Sequence, residues 1–149
     1  MGRKYSINGS RAVASSVKTV AGLTSTSAIR PRIADVMFGT SGTPADNALN
    51  WTVQRYTAAG TSTAVTPQAL DPGDPAATAT AGSNHTVEPT YTSGAILLDI
   101  DANQRSTQRW VAAQGYELVL PATASNGAGL ATSHASYTGN VDCTVLYEE

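Results

Sequence analysis

What most constrains this chain is a strand signal running straight into backbone that no helix tolerates, between Ala48 and Asp74. In Leu49-Asn50-Trp51-Thr52-Val53-Gln54 the apolar side chains share one parity and the polar ones the other. Successive side chains of a strand point to opposite faces, so the pattern predicts a strand with one face on a core. Arg55 breaks the apolar set and ends the expected burial near Val53. After a Gly/Thr/Ser link around Gly60 come Pro67 and the run Leu70-Asp71-Pro72-Gly73-Asp74-Pro75. Its prolines fix φ and lack amide donors, which excludes both helix and central strand there.

The alternation recurs along the chain. Ile96, Leu98 and Ile100 alternate with Leu97, Asp99 and Asp101; Tyr116, Leu118 and Leu120 share an inward parity; Val141, Cys143, Val145 and Tyr147 line one face of a closing strand from Asn140. Ile29 to Phe38 reads as a strand with Pro31 near its start, Ala34, Val36 and Phe38 on one face and Ile33, Asp35 and Met37 on the other. Gln108 to Val111 opens another strand, Ala122 to Gly129 reads as a loop, and Leu130 to Tyr137 as a weak strand. Arg3 to Ile7 gives a short first strand, ended by the turn signal Asn8-Gly9-Ser10. The valines from Arg11 to Leu23 fit helix or strand, and β-branching favours strand.

Eight or more short strands without a sustained 3.6-residue stripe predict an all-β, single-domain antiparallel β-sandwich or jelly roll over residues 1–149. There is no internal repeat, which argues against a propeller or solenoid. The expected core is Trp51, Val53, Ile96, Leu98, Ile100, Leu118, Leu120, Val141, Cys143 and Val145. Two segments are expected to stand outside it: an N-terminal arm of about residues 1–10 and a long proline-rich loop of about 66–94, in which Thr86 to Tyr91 can form an edge strand.

Composition narrows the function classes. A chain of 149 residues buries enough surface for one unstapled core. With 13% charged residues and a net charge of −2 it lacks the basic stripe of a nucleic-acid binder, and at 41% hydrophobic it is too apolar for disorder. Its single cysteine, Cys143, excludes an intrachain disulfide and reads as a small buried side chain. No run approaches the ~20 apolar residues of a membrane span, and the N-terminus lacks the apolar stretch of a secretion signal. Synthesis and use in a bacterial cytoplasm are therefore expected, without a membrane partner. Met1-Gly2-Arg3-Lys4-Tyr5-Ser6 fits the loose myristoylation template, which is short enough to match by chance.

The chemistry-bearing residues do not assemble into a reaction centre. Asp99, Asp101 and Asn103 supply only part of the six to eight oxygens that calcium needs and also suit a solvated strand end. His85 and His134 lack a carboxylate or cysteine at ligand spacing, and Ser133-His134 lacks the third member of a triad. The sequons at Asn50 and Asn84 are inert in a cytoplasmic chain. Trp51 and Trp110 read as core plugs, or alternatively as the sugar platform of a carbohydrate-binding module. Arg105 and Arg109 beside Trp110 suit a cation–π contact or a protein interface. No enzyme activity, metal or cofactor is expected.

A resemblance adds what residue chemistry does not. The opening Arg3-Lys4-Tyr5-Ser6, the early aromatic strand, the Thr66-Pro67-x-x-Leu70-Asp71-Pro72-Gly73-Asp74 turn and the closing Leu146-Tyr147-Glu148-Glu149 together resemble a family of small tailed-bacteriophage proteins, the capsid decoration or cement proteins. That likeness implies a jelly-roll-like β-sandwich bound to the outer surface of an icosahedral head. It implies a virion structural protein whose partners are the major capsid protein and further copies of itself, as a homotrimer or homodimer. Arg3, Lys4, Tyr5, Pro67, Leu70, Asp71 and Pro72 are the candidate capsid or oligomer contacts. The rival readings are a carbohydrate- or receptor-binding β module and a tail or neck structural protein.

Overall fold

The computed structural model describes residues 2–13, 16–133, 137 and 139–149, none of them helical. Twelve strands follow one another among these residues: β1 (Lys4–Val13), β2 (Lys18–Thr24), β3 (Arg32–Ser41), β4 (Ala48–Ala58), β5 (Thr61–Val65), β6 (Gln68–Ala69), β7 (Thr80–Val87), β8 (Thr90–Asn103), β9 (Gln108–Val111), β10 (Leu118–Val119), β11 (Gly127–Ser133) and β12 (Gly139–Glu148). They form two antiparallel sheets in one all-β domain. The first runs β10-β3-β12-β1-β6, with β9 also on β3; the second runs β5-β7-β2-β11-β4-β8.

The alternation read in β4 and β12 is what joins the sheets. Leu49, Trp51 and Val53 from one sheet meet Val141, Cys143, Val145 and Tyr147 from the other, all buried. Phe38 of β3 and Trp51 lie ring to ring across the sandwich at 4.7 Å. The second sheet adds Ala21, Leu23, Ala128 and Leu130. Gly9 faces this seam, where a Cβ would run into the Val20 carbonyl, so a side chain there would push the sheets apart.

Four expectations change for one reason each. The N-terminal arm is instead β1, paired with β12 over Lys4 to Val13; ten residues of ladder outweigh the local Asn8-Gly9 turn preference. The loop of about 66–94 contains β6, β7 and the start of β8, so that its one long irregular stretch runs from Leu70 to Ala79, with two-residue links at 66–67 and 88–89. Ile96 is 47% exposed, because the ladder steps from Val53↔Leu98 to Gln54↔Ile96 and the extra residue Leu97 turns Ile96 outward. Ile33 is buried, not on the Asp35 face, because the ladder steps from Leu146↔Asp35 to Tyr147↔Ile33 around Ala34.

Edge positions also differ. Leu98, Ile100 and Leu118 are only partly buried against the core, and Tyr116 is 76% exposed beyond the two-residue β10. β11 begins at Gly127, inside the expected loop, and is central in its sheet. Burial in β4 does not stop at Val53: Tyr56 is buried on the opposite face.

That second burial follows from topology. Two residues separate β4 from β5, and two separate β7 from β8, yet each pair stands four places apart in the sheet. Three Cα steps span at most about 11 Å, whereas four strand spacings in a flat sheet cover about 19 Å. The second sheet must therefore curl at this end until its edges approach. Here the β4–β5 link meets the β7–β8 link: a Cβ on Gly60, whose φ is +70°, would collide with the Val87 carbonyl.

Candidate functional site

The short strand β6 decides where the proline turn lies. It pairs with β1 through Tyr5↔Ala69 and Ser6↔Gln68, and the Leu70 amide then donates to the Lys4 carbonyl at 2.8 Å. The turn is rigid in its own right: Asp71 Oδ1 accepts from the Gly73 amide at 2.8 Å, and the Asp71 carbonyl from the Asp74 amide at 3.0 Å. Tyr5 Oη donates to the Pro75 carbonyl at 3.1 Å and ties the far side of the turn to β1.

Both chain ends lie at the same edge. Arg3 and Glu149 exchange two backbone hydrogen bonds, at 3.1 and 2.9 Å. The Glu149 carboxylate accepts from the amides of Thr78 and Ala79, at 2.9 and 2.8 Å, and so holds the segment after the turn. Lys4, Leu70, Leu146, Ala34, Val111 and Glu148 line a groove of about 240 Å³ on the outer face of the first sheet. Leu70 and Val111 are 51% and 55% exposed, an apolar rim between one lysine and one glutamate.

Of the residues singled out from sequence, Arg3, Lys4, Leu70, Asp71 and Pro72 are exposed, and Lys4 and Leu70 are neighbours although far apart in the chain. Pro67 is half-buried. Tyr5 does not belong to a contact surface: its ring is fully buried and stacks on Tyr147 at 5.5 Å. Val111, Ala34 and Leu146 were missed. Val111 closes a strand too short to show a face, and Ala34 is aimed by the β3 bulge.

The other candidates resolve into ordinary contacts. The Asn50 amide donates to Asp99 at 2.7 Å and to Asp101 at 3.1 Å, and Asn103 turns away to Asp46 at 2.6 Å. Among the described residues no group of three His, Cys, Asp or Glu could hold a metal, and no helix is long and apolar enough to cross a membrane. Trp51 lies in the core and Trp110 packs half-buried against it, so the two form no open sugar platform. Arg109 grips the buried Asp35 through Nε and Nη2, at 2.5 to 3.1 Å. Arg105 Nε lies 3.5 Å from the Pro44 carbonyl. Burial pushes the Cys143 thiol up to about 12, which makes it a poor nucleophile. His134 lies outside the described residues, and with it the Ser133-His134 pair. An open trough of about 660 Å³ crosses the outer face of the first sheet past Asn8, Gly39 and Thr144, and no nucleophile–base pair lines it.

Comparison of the chain with protein-family models, with curated proteins and with solved structures finds no match.

Proposed function

We infer that this chain is a structural protein of a tailed-phage virion, a capsid decoration or cement protein that binds the outer surface of an icosahedral head and stabilises it. The observation that carries the reading is the meeting of the two motifs of the resemblance. The Arg3-Lys4 opening and the Leu70-Asp71-Pro72 turn are separate in sequence, and the pairing of β6 with β1 presents them side by side at an exposed edge with an apolar rim. A rigid, two-part surface of this kind suits a protein partner, because its ordering cost is already met in the free chain.

Strand pairing supports the jelly-roll form of the sandwich. Without β5 to β7, the strands fall into nested antiparallel pairs: β1 with β12, β2 with β11, β3 with β9 and β10, β4 with β8. A long hairpin wound over itself gives this nesting, and with β9 and β10, which both pair with β3, taken as one interrupted arm, the nine strands make the eight arms of a jelly roll.

The proposed mechanism is thermodynamic and not enzymatic. A protein that binds only the expanded shell adds its binding free energy to the stability of that shell by mass action. Copies joined as homotrimers or homodimers engage several capsid subunits at once, which multiplies a modest single-site affinity. The chain is then made in the host cytoplasm and ends on the virion surface, without nucleic acid, membrane, metal or cofactor.

The test is sedimentation of the protein with purified expanded heads, combined with a mass-spectrometric copy number. Hundreds of copies per head are expected, and the double substitution Lys4→Glu, Leu70→Asp lowers affinity at least tenfold while the domain stays folded. A dozen copies or fewer points to tail or neck, and a protein that never binds expanded heads refutes the cement reading.

A further inference from the structure

The outer face of the second sheet holds a packed cluster of side chains, here called a compartment, that the proposed capsid surface does not use. Its floor is glycine. Gly22 and Gly129 are cross-strand partners, and Gly127 pairs with both Thr24 and Tyr56. The missing side chains let rings lie on the sheet: a Cβ on Gly127 would strike the Tyr56 ring, and one on Gly129 the Tyr91 hydroxyl. Tyr56 Oη bonds Thr24 at 2.7 Å, Tyr91 Oη bonds Thr19 at 2.6 Å, and the two rings meet edge to face at 6.2 Å.

His85 completes the compartment. It is 4% exposed, with Nε2 above Gly22 next to the Tyr56 hydroxyl, and its Nδ1 has no hydrogen-bond partner. The link from β7 to β8 begins three residues after it, and Glu88 of that link acts on the ring. Glu88 in that link accepts from the Thr19 amide at 2.9 Å and from Arg11 at 3.1 Å, with Lys18 at 3.9 Å. Arg11 also donates to the Thr19 carbonyl at 3.0 Å, so one carboxylate fastens the link to β2 and to the end of β1 in the other sheet.

We propose that this β7–β8 link is an acid-sensitive clasp, which opens over His85 when the imidazole takes up a proton. The charged groups acting on His85 are Glu88 from the link itself and Arg11 from β1, the Tyr56 hydroxyl of β4 lies by the same glycine, and Tyr91 of β8 and Lys18 of β2 stand around Glu88. An imidazolium here carries charge into a buried space; Glu88 and the backbone of Thr19 and Ala59 favour it and Arg11 opposes it, without together overcoming the cost of burial. Burial is the largest influence and holds the imidazole below its usual range. The sign follows: above about pH 6.5 closed and open forms are both neutral, whereas below it the open form binds a proton that the closed form excludes. The opening constant therefore rises by up to about tenfold per pH unit for one proton. Closure at neutral pH and release in an acidified medium are the consequence.

Native-state hydrogen exchange on the full chain, expressed as protection factors between pH 7.5 and 5, tests the clasp. Protection in residues 83–91 and at Thr19 is expected to fall with acid while the β1–β12 ladder keeps its own. His85→Gln is expected to abolish that fall. Acid opening that persists in His85→Gln comes from a carboxylate and overturns the proposal, as does protection in the wild type that ignores pH. Should His85→Gln fail to fold, proton NMR of the wild type decides. The chain has two histidines, and His134→Ala identifies the other signal. A His85 ring that titrates near pH 6.5 with the link still protected refutes the clasp.

Discussion

Leu130→Ala, set against Ile96→Ala, measures whether the bulge in β8 sorts the core as described. Leu130 is 3% exposed and sits mid-sandwich among Ile7, Leu23, Ile33, Val36 and Val53. Truncation removes three carbons, a transfer loss of about 2.4 kcal/mol at ~0.8 kcal/mol each. The space left behind lies between two hydrogen-bonded sheets that cannot collapse freely. A void on the order of 60 Å³ adds about 1.5 kcal/mol at ~24 cal/mol per Å³. The sum is about 4 kcal/mol. Ile96 is 47% exposed on an edge strand, so its truncation should cost about half of the full transfer term, about 1.3 kcal/mol, with no closed void to add. Urea unfolding followed by the fluorescence of Trp51, which packs on Phe38, reads both. With a slope of ~2 kcal/mol/M the Leu130 midpoint falls by roughly 2 M, and the Ile96 midpoint by about 0.6 M. Equal losses for the two variants refute the register, because Ile96 would then face inward.

Deleting residues 2–7 removes four of the ten β1 ladder positions together with the buried Tyr5 and Ile7, so cooperative unfolding should be lost; a truncated chain with a normal transition contradicts the placement of β1 in the sandwich. Cys143 should resist thiol reagents at pH 8 in the native protein and react fully after denaturation, because burial lifts its thiol to about 12; rapid native labelling refutes its placement.

Period-2 alternation made the fold class legible, since a strand buried on one face must alternate wherever its ladder is regular. Leu49, Trp51 and Val53, and the closing set from Val141 to Tyr147, were readable for that reason. The two halves of the candidate contact surface were readable as motifs, Arg3-Lys4 and Leu70-Asp71-Pro72, because proline and Asx-turn chemistry is local. Their meeting was not, because it depends on two β6 residues finding β1. Wherever a ladder gains a residue, parity changes hands: Ile96 turns out, Ile33 turns in, and no single-strand pattern records it. Asn8-Gly9 is a turn in isolation and a strand interior here, since the ladder with β12 contributes more than the local preference does. Nor does the sequence predict the compartment of Tyr56, Tyr91 and His85, although its glycines mark it in retrospect. It exists because two short links force the sheet to curl, and that distance constraint appears only when all the strands are paired.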